Sequence, residues 1–259
     1  MMKKPRVVLI VQARVGSTRL PGKVLRELAG KPMLERELER LKRCERIDAF
    51  VLATSDRAED DAVGEIGKRA GFEIFRGSEE DVLDRYSRAA KAAKADVVVR
   101  VTGDCPLHDP EVVDLVVARF LEQGVEYAKT PENYPEGLDT EVCSFEALAI
   151  SSSEARLPSE REHVTLFVRN HPERFRVDAP WTLGDFDHSS YHWSVDTEDD
   201  FRFVEAVYAR LGDDTLFHMK DVLALIAKEP QLLKLTSGTG YEGLEKSLKE
   251  DETWRREQP

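Results

Sequence analysis

Residues 6–23 read RVVLIVQARVGSTRLPGK and contain the change from strand to loop around which the chain is organised. Residues 6–11 form an apolar run rich in β-branched side chains, which predicts a strand buried on both faces. The residues that follow are mostly small and include Arg14, Arg19 and Lys23. In open α/β sheets, ligands bind beyond the carboxyl ends of the strands, so this loop is a candidate ligand site.

The loop has the composition of a polyphosphate-binding site. Small residues such as Gly16 and Ser17 leave backbone N–H groups accessible, and the three cations can make charge-assisted contacts with phosphate oxygens. Gln12 and Ala13, where the strand ends, are placed to meet the base of a nucleotide. Neither the Walker spacing nor the Rossmann glycine fingerprint fits this loop. A solvated basic turn without function is the alternative interpretation.

The composition narrows the class of protein and its partners. The 259 residues carry a net charge of −12 and are 41% hydrophobic, enough to bury the core of one α/β domain. Such an acidic chain is a poor partner for nucleic acid, whereas cations concentrated in one loop indicate a small anion. We expect neither a signal peptide nor a membrane anchor. Three widely spaced cysteines favour a reducing cytoplasm over disulfide or zinc sites.

Strand and helix patterns alternate along the rest of the chain. After the first strand, the predicted strands are residues 49–54, 73–76, 96–102, 124–129, 138–143, 175–178 and 191–195. The predicted helices are residues 31–44, 59–70, 79–94, 110–121, a helix opening at Ser159, and residues 197–211 and 221–228. This alternation predicts a three-layer α/β/α fold around a mostly parallel sheet.

Two aspartates follow predicted strands that are far apart in the sequence. Asp104 comes after the β-branched strand 96–102 and beside Gly103, where a ligand could approach closely, and Asp196 follows strand 191–195. Carboxylates in such positions can bind a hard cation. Each also has an ordinary alternative, because Asp104 could belong to a simple turn before a proline and Asp196 could cap a helix.

The segment ARVGSTRLPGK, residues 13–23, resembles the signature loop of the sugar-acid cytidylyltransferases, and most closely that of the spore-coat polysaccharide biosynthesis group. GDCP at residues 103–106 resembles the metal-binding turn of this family, and VDTEDDF at residues 195–201 resembles its second metal motif. The resemblance therefore implies that Asp104 and Asp196 hold Mg²⁺. This chain departs from the second motif at Glu198, where a proline is common, and lacks the arginine that usually precedes it.

Three more segments resemble the family. EEDVLDRY at residues 79–86 lies near the nucleotide in the family, which makes Arg85 a candidate nucleotide-binding residue. The acidic residues of this motif could alternatively serve only to cap a helix. GLDTEV at residues 137–142 resembles the segment that faces the acceptor sugar, which makes Asp139 and Glu141 acceptor candidates or, alternatively, an ordinary polar strand face. EREHVT at residues 160–165 matches the spore-coat-like group. The acceptor candidates from this motif are Arg161 and His163, although a lone histidine more often packs or caps.

The resemblance implies the Rossmann-like architecture of the nucleotide-diphospho-sugar transferases over residues 1–235, followed by a charged tail, residues 236–259, that is either a docked helix or disordered. It implies Mg²⁺-dependent transfer of CMP from CTP to an acidic sugar or related anionic acceptor, with release of pyrophosphate, in the synthesis of surface polysaccharide or glycan precursors. A homodimer is a further family inference. The nucleotide-binding residues would be Gln12, Ala13, Arg14, Gly16, Ser17, Arg19, Lys23 and Arg85. The catalytic residues would be Lys23, Arg14 and Asp104.

Two other classes of function stay open from the sequence. A glycosyltransferase that consumes a nucleotide sugar would normally carry an Asp-x-Asp metal motif, and Asp104 has no second acid two residues away. A non-catalytic nucleotide sensor would bind CTP and Mg²⁺ without turnover. Release of pyrophosphate from CTP in the presence of an acidic acceptor distinguishes the cytidylyltransferase from both.

Overall fold

The computed structural model describes residues 4–17, 19–212, 217–236 and 242–257. Within these ranges the strands, numbered along the chain, are β1 (Val7–Gln12), β2 (Glu27–Leu28), β3 (Lys31–Pro32), β4 (Ala49–Ser55), β5 (Glu73–Gly77), β6 (Val97–Thr102), β7 (Tyr127–Lys129) and β8 (Glu141–Ser144). In the described part of the chain, six of them form one sheet in the order β5-β4-β1-β6-β8-β7, and β2 pairs with β3.

The sheet is mostly parallel, as the sequence predicted. β1 pairs in parallel with β4 and β6, and β4 pairs in parallel with β5. β8 alone runs the other way and is antiparallel to both β6 and β7. The central position of β1 explains its unbroken apolar sequence, because residues 7–11 are buried by a helix layer on each side.

Helices cover both faces of the sheet. They are α1 (Met33–Leu41), α2 (Asp61–Arg69), α3 (Val82–Ala92), α4 (Pro110–Gln123), α5 (Phe145–Glu154), α6 (Pro158–Glu162), α7 (Leu166–Asn170), α8 (Glu198–Leu211), α9 (Met219–Lys228) and α10 (Glu242–Glu257). Short 3₁₀ segments span Lys23–Leu25, Ala58–Asp60 and Pro230–Leu235.

Alternate residues of β1 enter two separate cores. Leu9 and Val11 pack in the core that contains α1, α2, α4, α8 and α9, whereas Val8 and Ile10 pack in the core that contains α3, α5 and α7. This separation follows from the two-residue period of a strand. The three-layer α/β/α fold predicted from the sequence is therefore confirmed.

Two predicted strands are wrong. Residues 175–178 make one isolated bridge, between Tyr127 and Val177, and residues 191–195 make one, between Glu136 and His192. The first segment pairs with the edge strand β7, which is only three residues long. It is followed by Pro180, which has no N–H to donate to a ladder. In the second segment Trp193 and Val195 are buried in the hydrophobic core, and its backbone pairs with the turns at Glu136 and Asp104, which cannot extend a sheet.

The tail contains a helix that packs on its own chain. α10 covers Glu242–Glu257 and lies against α6, so the alternative of a docked helix holds for the described residues of the tail. Residues 237–241 and 258–259 of the predicted tail lie outside the described residues. In the described ranges, no helix combines the length and the apolar character needed to cross a bilayer.

Candidate active site

A cavity of about 300 Å³ opens at the carboxyl ends of β1 and β6. Its lining comes from the loop after β1, from α3, from the turn after β6, from the segment before α8, and from α6 and α10. The lining residues are Gln12, Ala13, Arg14, Gly16, Ser17, Arg19, Lys23, Val24, Val82, Arg85, Thr102, Gly103, Asp104, Glu162, Asp196 and Lys246. The structure thus brings together every residue that the sequence assigned to the nucleotide or to the metal.

Asp60 shapes the loop that follows β1. Its buried carboxylate accepts a hydrogen bond from the Val15 N–H (2.7 Å) and another from the Ser55 hydroxyl. The loop then turns back, with the Gly22 N–H donating to the Val15 carbonyl (3.2 Å). Gly22 adopts φ 70°, a conformation that favours glycine, and the 3₁₀ turn that begins at Lys23 follows it. The sequence did not identify Asp60, which reads there as an ordinary residue at the start of a helix.

Lys23 lies at the centre of the site. Its ammonium is 2.8 Å from Asp104 Oδ2, 3.1 Å from Asp196 Oδ1 and 2.6 Å from the Val195 carbonyl oxygen. Burial would lower the pKa of Lys23, but the two aspartates outweigh that effect and raise it. The lysine is therefore positively charged at neutral pH, although its side chain is only 9% exposed.

Asp104 is held in place by its backbone and by its neighbours. Its carbonyl oxygen accepts a hydrogen bond from the Val195 N–H (2.8 Å), which links the two acidic turns directly. The Gly103 N–H donates to the Gln12 carbonyl (2.8 Å), and a Cβ at Gly103 would lie 2.8 Å from the Cβ of Ala13. Burial would raise the pKa of Asp104, but Lys23 lowers it to about 2.

Two buried residues, Glu37 and His108, support the turn that contains Asp104. Glu37 on α1 accepts a hydrogen bond from the Cys105 N–H (3.0 Å), and His108 Nδ1 lies 3.5 Å from its other oxygen. His108 Nε2 in turn donates to the Asp139 carbonyl (3.2 Å). Burial raises the pKa of Glu37. Sequence reasoning missed both residues, because Glu37 lies on a helix that reads as ordinary and His108 lies in the loop between β6 and α4.

Asp196 does not cap α8. Thr197 is the N-cap, and its side chain accepts from the Asp200 N–H (3.3 Å) while Asp200 accepts from the Thr197 N–H (2.7 Å). The Asp196 carboxylate is directed to the cations instead, with Arg19 Nη2 at 2.7 Å in addition to Lys23. The segment before Asp196 is a loop rather than the predicted strand, and it is anchored by its hydrogen bond to Asp104.

These oxygen atoms fit a hard divalent cation. The Asp104 carboxylate, the Asp196 carboxylate and the Val195 carbonyl already converge on one ammonium within 3.1 Å. Magnesium prefers oxygen ligands and is usually bound through one or two protein carboxylates together with substrate phosphates. Asp104 and Asp196 are therefore suited to hold Mg²⁺.

Two polar atoms at this site are buried and have no hydrogen-bond partner among the described residues. They are Gln12 Oε1, an acceptor, and Arg85 Nε, a donor. The Arg85 guanidinium is otherwise fixed by the Ser78 carbonyl, and burial lowers its pKa. Because buried polar groups are normally paired, these atoms indicate a polar ligand.

The predicted acceptor residues do not line this cavity. Glu141 accepts hydrogen bonds from Tyr127 (2.5 Å), Thr165 (2.7 Å) and Arg100, which satisfy both of its oxygens. Asp139 accepts from the Gly137 N–H (2.9 Å), and burial raises the pKa of Asp139. An acceptor-binding role for these two side chains finds no support in this geometry.

Arg161 and His163 line a second cavity of about 550 Å³. Arg161 donates to the Ser152 carbonyl (2.8 Å) and to Asp81, the N-cap of α3, while His163 Nε2 hydrogen-bonds Ser247 on α10 (3.1 Å). Both residues thus join α6 to neighbouring helices. The two cavities share Arg14, Arg19, Glu162 and Lys246, so they are parts of one crevice.

The sequence is similar to known cytidylyltransferases over nearly its whole length. A sequence model of the family described as "Cytidylyltransferase" matches residues 8–235. The chain is 36% identical over 229 residues to the spore coat polysaccharide biosynthesis protein SpsF of Bacillus subtilis, covering 86% of this chain and 95% of that protein. It is 35% identical over 235 residues to the uncharacterized protein MJ1063 of Methanocaldococcus jannaschii, covering 90% and 95%.

Solved structures agree with this relationship. A cytidylyltransferase from Leptospira borgpetersenii aligns with a TM-score of 0.84 and 34% identity, covering 91% of this chain and all of that one. A CMP:2-keto-3-deoxy-manno-octonic acid synthetase, solved in complex with CTP, aligns with a TM-score of 0.59 over 80% of this chain and 99% of its own; at 20% identity it shows the shared fold. The chain therefore belongs to the sugar-acid cytidylyltransferase family and is a nucleotidyltransferase.

Proposed function

We propose that this enzyme transfers CMP from CTP to an acidic sugar or a related anionic acceptor, depends on Mg²⁺, and releases pyrophosphate. Its product would serve the synthesis of surface polysaccharide or another glycan precursor. The observation that carries the proposal is the convergence of the cationic loop, Asp104 and Asp196 on one crevice, with Lys23 between the two carboxylates.

The charges of the site suit a nucleoside triphosphate. Such a ligand carries roughly four negative charges, and Arg14, Arg19 and Lys23 supply three positive ones beside the accessible amides of the loop. Bound Mg²⁺ would neutralise phosphate charge between Asp104 and Asp196. The arginines can bind phosphate oxygens in pairs, and the lysine acts as a point charge on the leaving pyrophosphate.

The reaction needs positioning more than covalent chemistry. An oxygen of the acceptor attacks the α-phosphorus in line, and the bond between the α-phosphorus and the bridging oxygen breaks as pyrophosphate leaves. Fixed cations stabilise charge as it develops and need no rearrangement during the reaction. The buried Lys23 ammonium, held by three oxygens, meets that requirement.

The unpaired Gln12 oxygen favours a base that can donate a hydrogen bond. Cytosine presents an amino group at N4, whereas uracil presents a carbonyl oxygen at the same position. Gln12 Oε1 is buried and without a partner among the described residues, so the amino group of cytosine would satisfy it.

The direct test mixes the enzyme with CTP, Mg²⁺ and each member of a panel of acidic acceptors, namely nonulosonic acids, octulosonic acids and phosphonates, and measures pyrophosphate. We expect release with CTP and at least one acceptor. Release of a nucleoside diphosphate from a nucleotide sugar would instead favour a glycosyltransferase. Binding of CTP without turnover on any acceptor would favour a nucleotide sensor.

We expect Asp104→Asn to abolish Mg²⁺-dependent turnover with the fold intact, because the amide keeps the shape of the side chain but loses its charge. The measurement is the rate of pyrophosphate release at several Mg²⁺ concentrations, together with the melting temperature. Asp199→Asn is the matched control, since Asp199 is an exposed carboxylate three residues beyond Asp196. Full activity in the Asp104 variant would remove the metal assignment.

We also propose that the enzyme works in the cytoplasm as a homodimer. Cys44, Cys105 and Cys143 are free and buried, which suits a reducing compartment. Light scattering on the purified protein tests the dimer, and a mass of 29.4 kDa, that of one chain, would contradict it.

A further inference from the structure

The C-terminal helix α10 lies beyond the family match, which ends at residue 235, yet it reaches the active site. Lys246 on α10 lines both the cavity that contains Lys23 and the adjoining cavity bounded by α6. None of the sequence motifs predicts a site residue in this helix.

Buried hydrogen bonds fix α10 to α6. Asp251 is 2% exposed and accepts from both the N–H (2.9 Å) and the hydroxyl (2.6 Å) of Ser159. One turn earlier, Ser247 hydrogen-bonds His163 (3.1 Å). Residues four apart lie on the same helix face, so these bonds determine which face of α10 meets the enzyme. Lys246 directly precedes Ser247, and its stem therefore leaves the helix beside the anchored face.

Lys246 is available to a ligand. Its only ion pair among the described residues is with Glu250 on the same helix, at 3.8 Å, and its side chain is 76% exposed. Exposed pairs of this kind contribute little to the stability of a helix. The ammonium can therefore move to an anion in the crevice at small cost.

An anion bound in the first cavity has room to extend into the space beside Lys246. That cavity, of about 300 Å³, is at the small end of ligand pockets, and the second adds about 550 Å³. Four arginine or lysine side chains and three glutamates line the second cavity. Its local net charge is therefore +1, in a chain whose net charge is −12. Arg14 and Arg19 line both cavities, so a chain of phosphates can pass from one to the other.

We propose that α10 is part of the nucleotide site and that Lys246 binds the terminal phosphates of CTP and the pyrophosphate product. The inference rests on the proposed function and extends it, because it assigns a polyphosphate-binding residue outside residues 8–235, which the family model matches. Ser159 and His163 then act as positioning residues, which hold α10 so that Lys246 faces Arg14 and Arg19.

The test compares Lys246→Ala with Lys249→Ala, a matched change at an exposed lysine of the same helix that lines neither cavity. Calorimetry in the presence of Mg²⁺ gives the dissociation constants of CTP, inorganic pyrophosphate and CMP. We expect Lys246→Ala to weaken CTP and pyrophosphate about 3- to 10-fold and to leave CMP unchanged, because CMP has no terminal phosphates. Lys249→Ala should change none of the three.

Unchanged pyrophosphate binding in Lys246→Ala would overturn the inference, and so would an equal loss for CMP, which would indicate general damage to the site. Loss of acceptor affinity alone would assign Lys246 to the acceptor and would overturn it too. If wild-type enzyme binds CTP and pyrophosphate through Lys246 but releases no pyrophosphate with any acceptor, the proposed function fails and this inference stands.

A second variant tests whether the hydrogen bonds between Asp251 and Ser159 hold α10 in position. Asp251→Ala removes both bonds to Ser159, and we expect it to weaken pyrophosphate binding by the same factor as Lys246→Ala. In the double variant the two losses should not add, because a detached helix no longer presents its lysine. Additive losses, or normal pyrophosphate affinity in a folded Asp251→Ala protein, would show that α10 does not position Lys246.

Discussion

A single lysine stabilises the acidic corner of the crevice. Asp104 and Asp196 come from turns 92 residues apart in the sequence, and their carboxylates meet around the Lys23 ammonium. Two carboxylates brought this close in a partly buried site repel each other, which would raise the pKa of one of them. Lys23 prevents this and keeps the pKa of Asp104 at about 2.

We expect Lys23→Met, which keeps the length of the side chain but removes its charge, to lower turnover at least 100-fold, roughly the loss seen when one stabilising donor is removed from an active site. We also expect it to lower the free energy of unfolding at pH 7 by about 1–3 kcal/mol, because Asp104 loses its counter-charge and Asp196 keeps only Arg19. The stability loss should shrink toward pH 4 as Asp104 becomes protonated in the variant.

Urea unfolding at pH 7 and pH 4, together with pyrophosphate release, measures both effects. Lys68→Met is the control, since Lys68 is an exposed lysine paired with Glu65 on α2. Equal stability of wild type and Lys23→Met at pH 7 would contradict the role of the ammonium.

The lining of the crevice could be identified from the sequence because each motif that contributes to it is one continuous stretch of residues. A loop such as residues 13–23 carries its small residues and cations in one stretch, and its position at a strand end follows from the fold. Glu37, Asp60 and Lys246 could not be identified in this way, because each lies on or beside a helix and meets the site only through tertiary packing. Glu141 shows the opposite case, a residue in a recognisable motif whose oxygens are used within the fold.

At the scale of elements, α2 packs so closely on the sheet that one of its glycines leaves no room for a side chain. A Cβ at Gly67 would lie 2.5 Å from Leu52 Cδ2 and 2.6 Å from Ile74 Cδ1. Gly64, one turn earlier on the same helix, is different, because its Cβ would lie 3.8 Å from Ile74 Cγ2, an ordinary contact.

We expect Gly67→Ala to destabilise the protein by about 1–3 kcal/mol through overpacking. Gly64→Ala should stabilise it by about 0.5–1 kcal/mol, because alanine has the higher helix propensity and fits the space. Thermal unfolding of the two variants gives the comparison, and each serves as the control for the other. A stabilising Gly67→Ala would mean that α2 can move away from β4 and β5 without cost.

The predicted elements agree with the structure where the apolar pattern is regular, and they disagree with it in buried loops. β1, β4, β5, β6 and the helices α1 to α4 all follow their predicted positions within a few residues. The apolar residues Trp193 and Val195 predict a strand over residues 191–195, and both side chains are buried. Apolar residues of a buried loop produce the same sequence signal as those of a strand, and the hydrogen-bond partners that distinguish the two are distant in sequence.

At the scale of the whole molecule, a buried ion pair joins the parallel part of the sheet to its antiparallel edge. Arg100 on β6 is the register partner of Glu141 on β8, and their side chains form a salt bridge. Burial would raise the pKa of Glu141, but Arg100 and then Arg169 outweigh it and lower the pKa to about 2. Glu141 therefore stabilises the fold above its unfolded pKa of about 4.5, and this contribution is lost as the pH falls toward 2.

We expect Glu141→Gln to lower the free energy of unfolding at pH 7 by roughly 3 kcal/mol, because it leaves the buried Arg100 without a counter-charge. Between pH 4.5 and pH 2 the wild type should lose stability faster than the variant, so that the two curves approach each other. Glu146→Gln, at an exposed position at the start of α5, is the control and should match the wild type at every pH. Denaturant unfolding across this pH range is the measurement. If the variant keeps wild-type stability and only its KM for the acceptor rises, Glu141 binds the acceptor. The two parts of the sheet would then be held together by their backbone hydrogen bonds rather than by this ion pair.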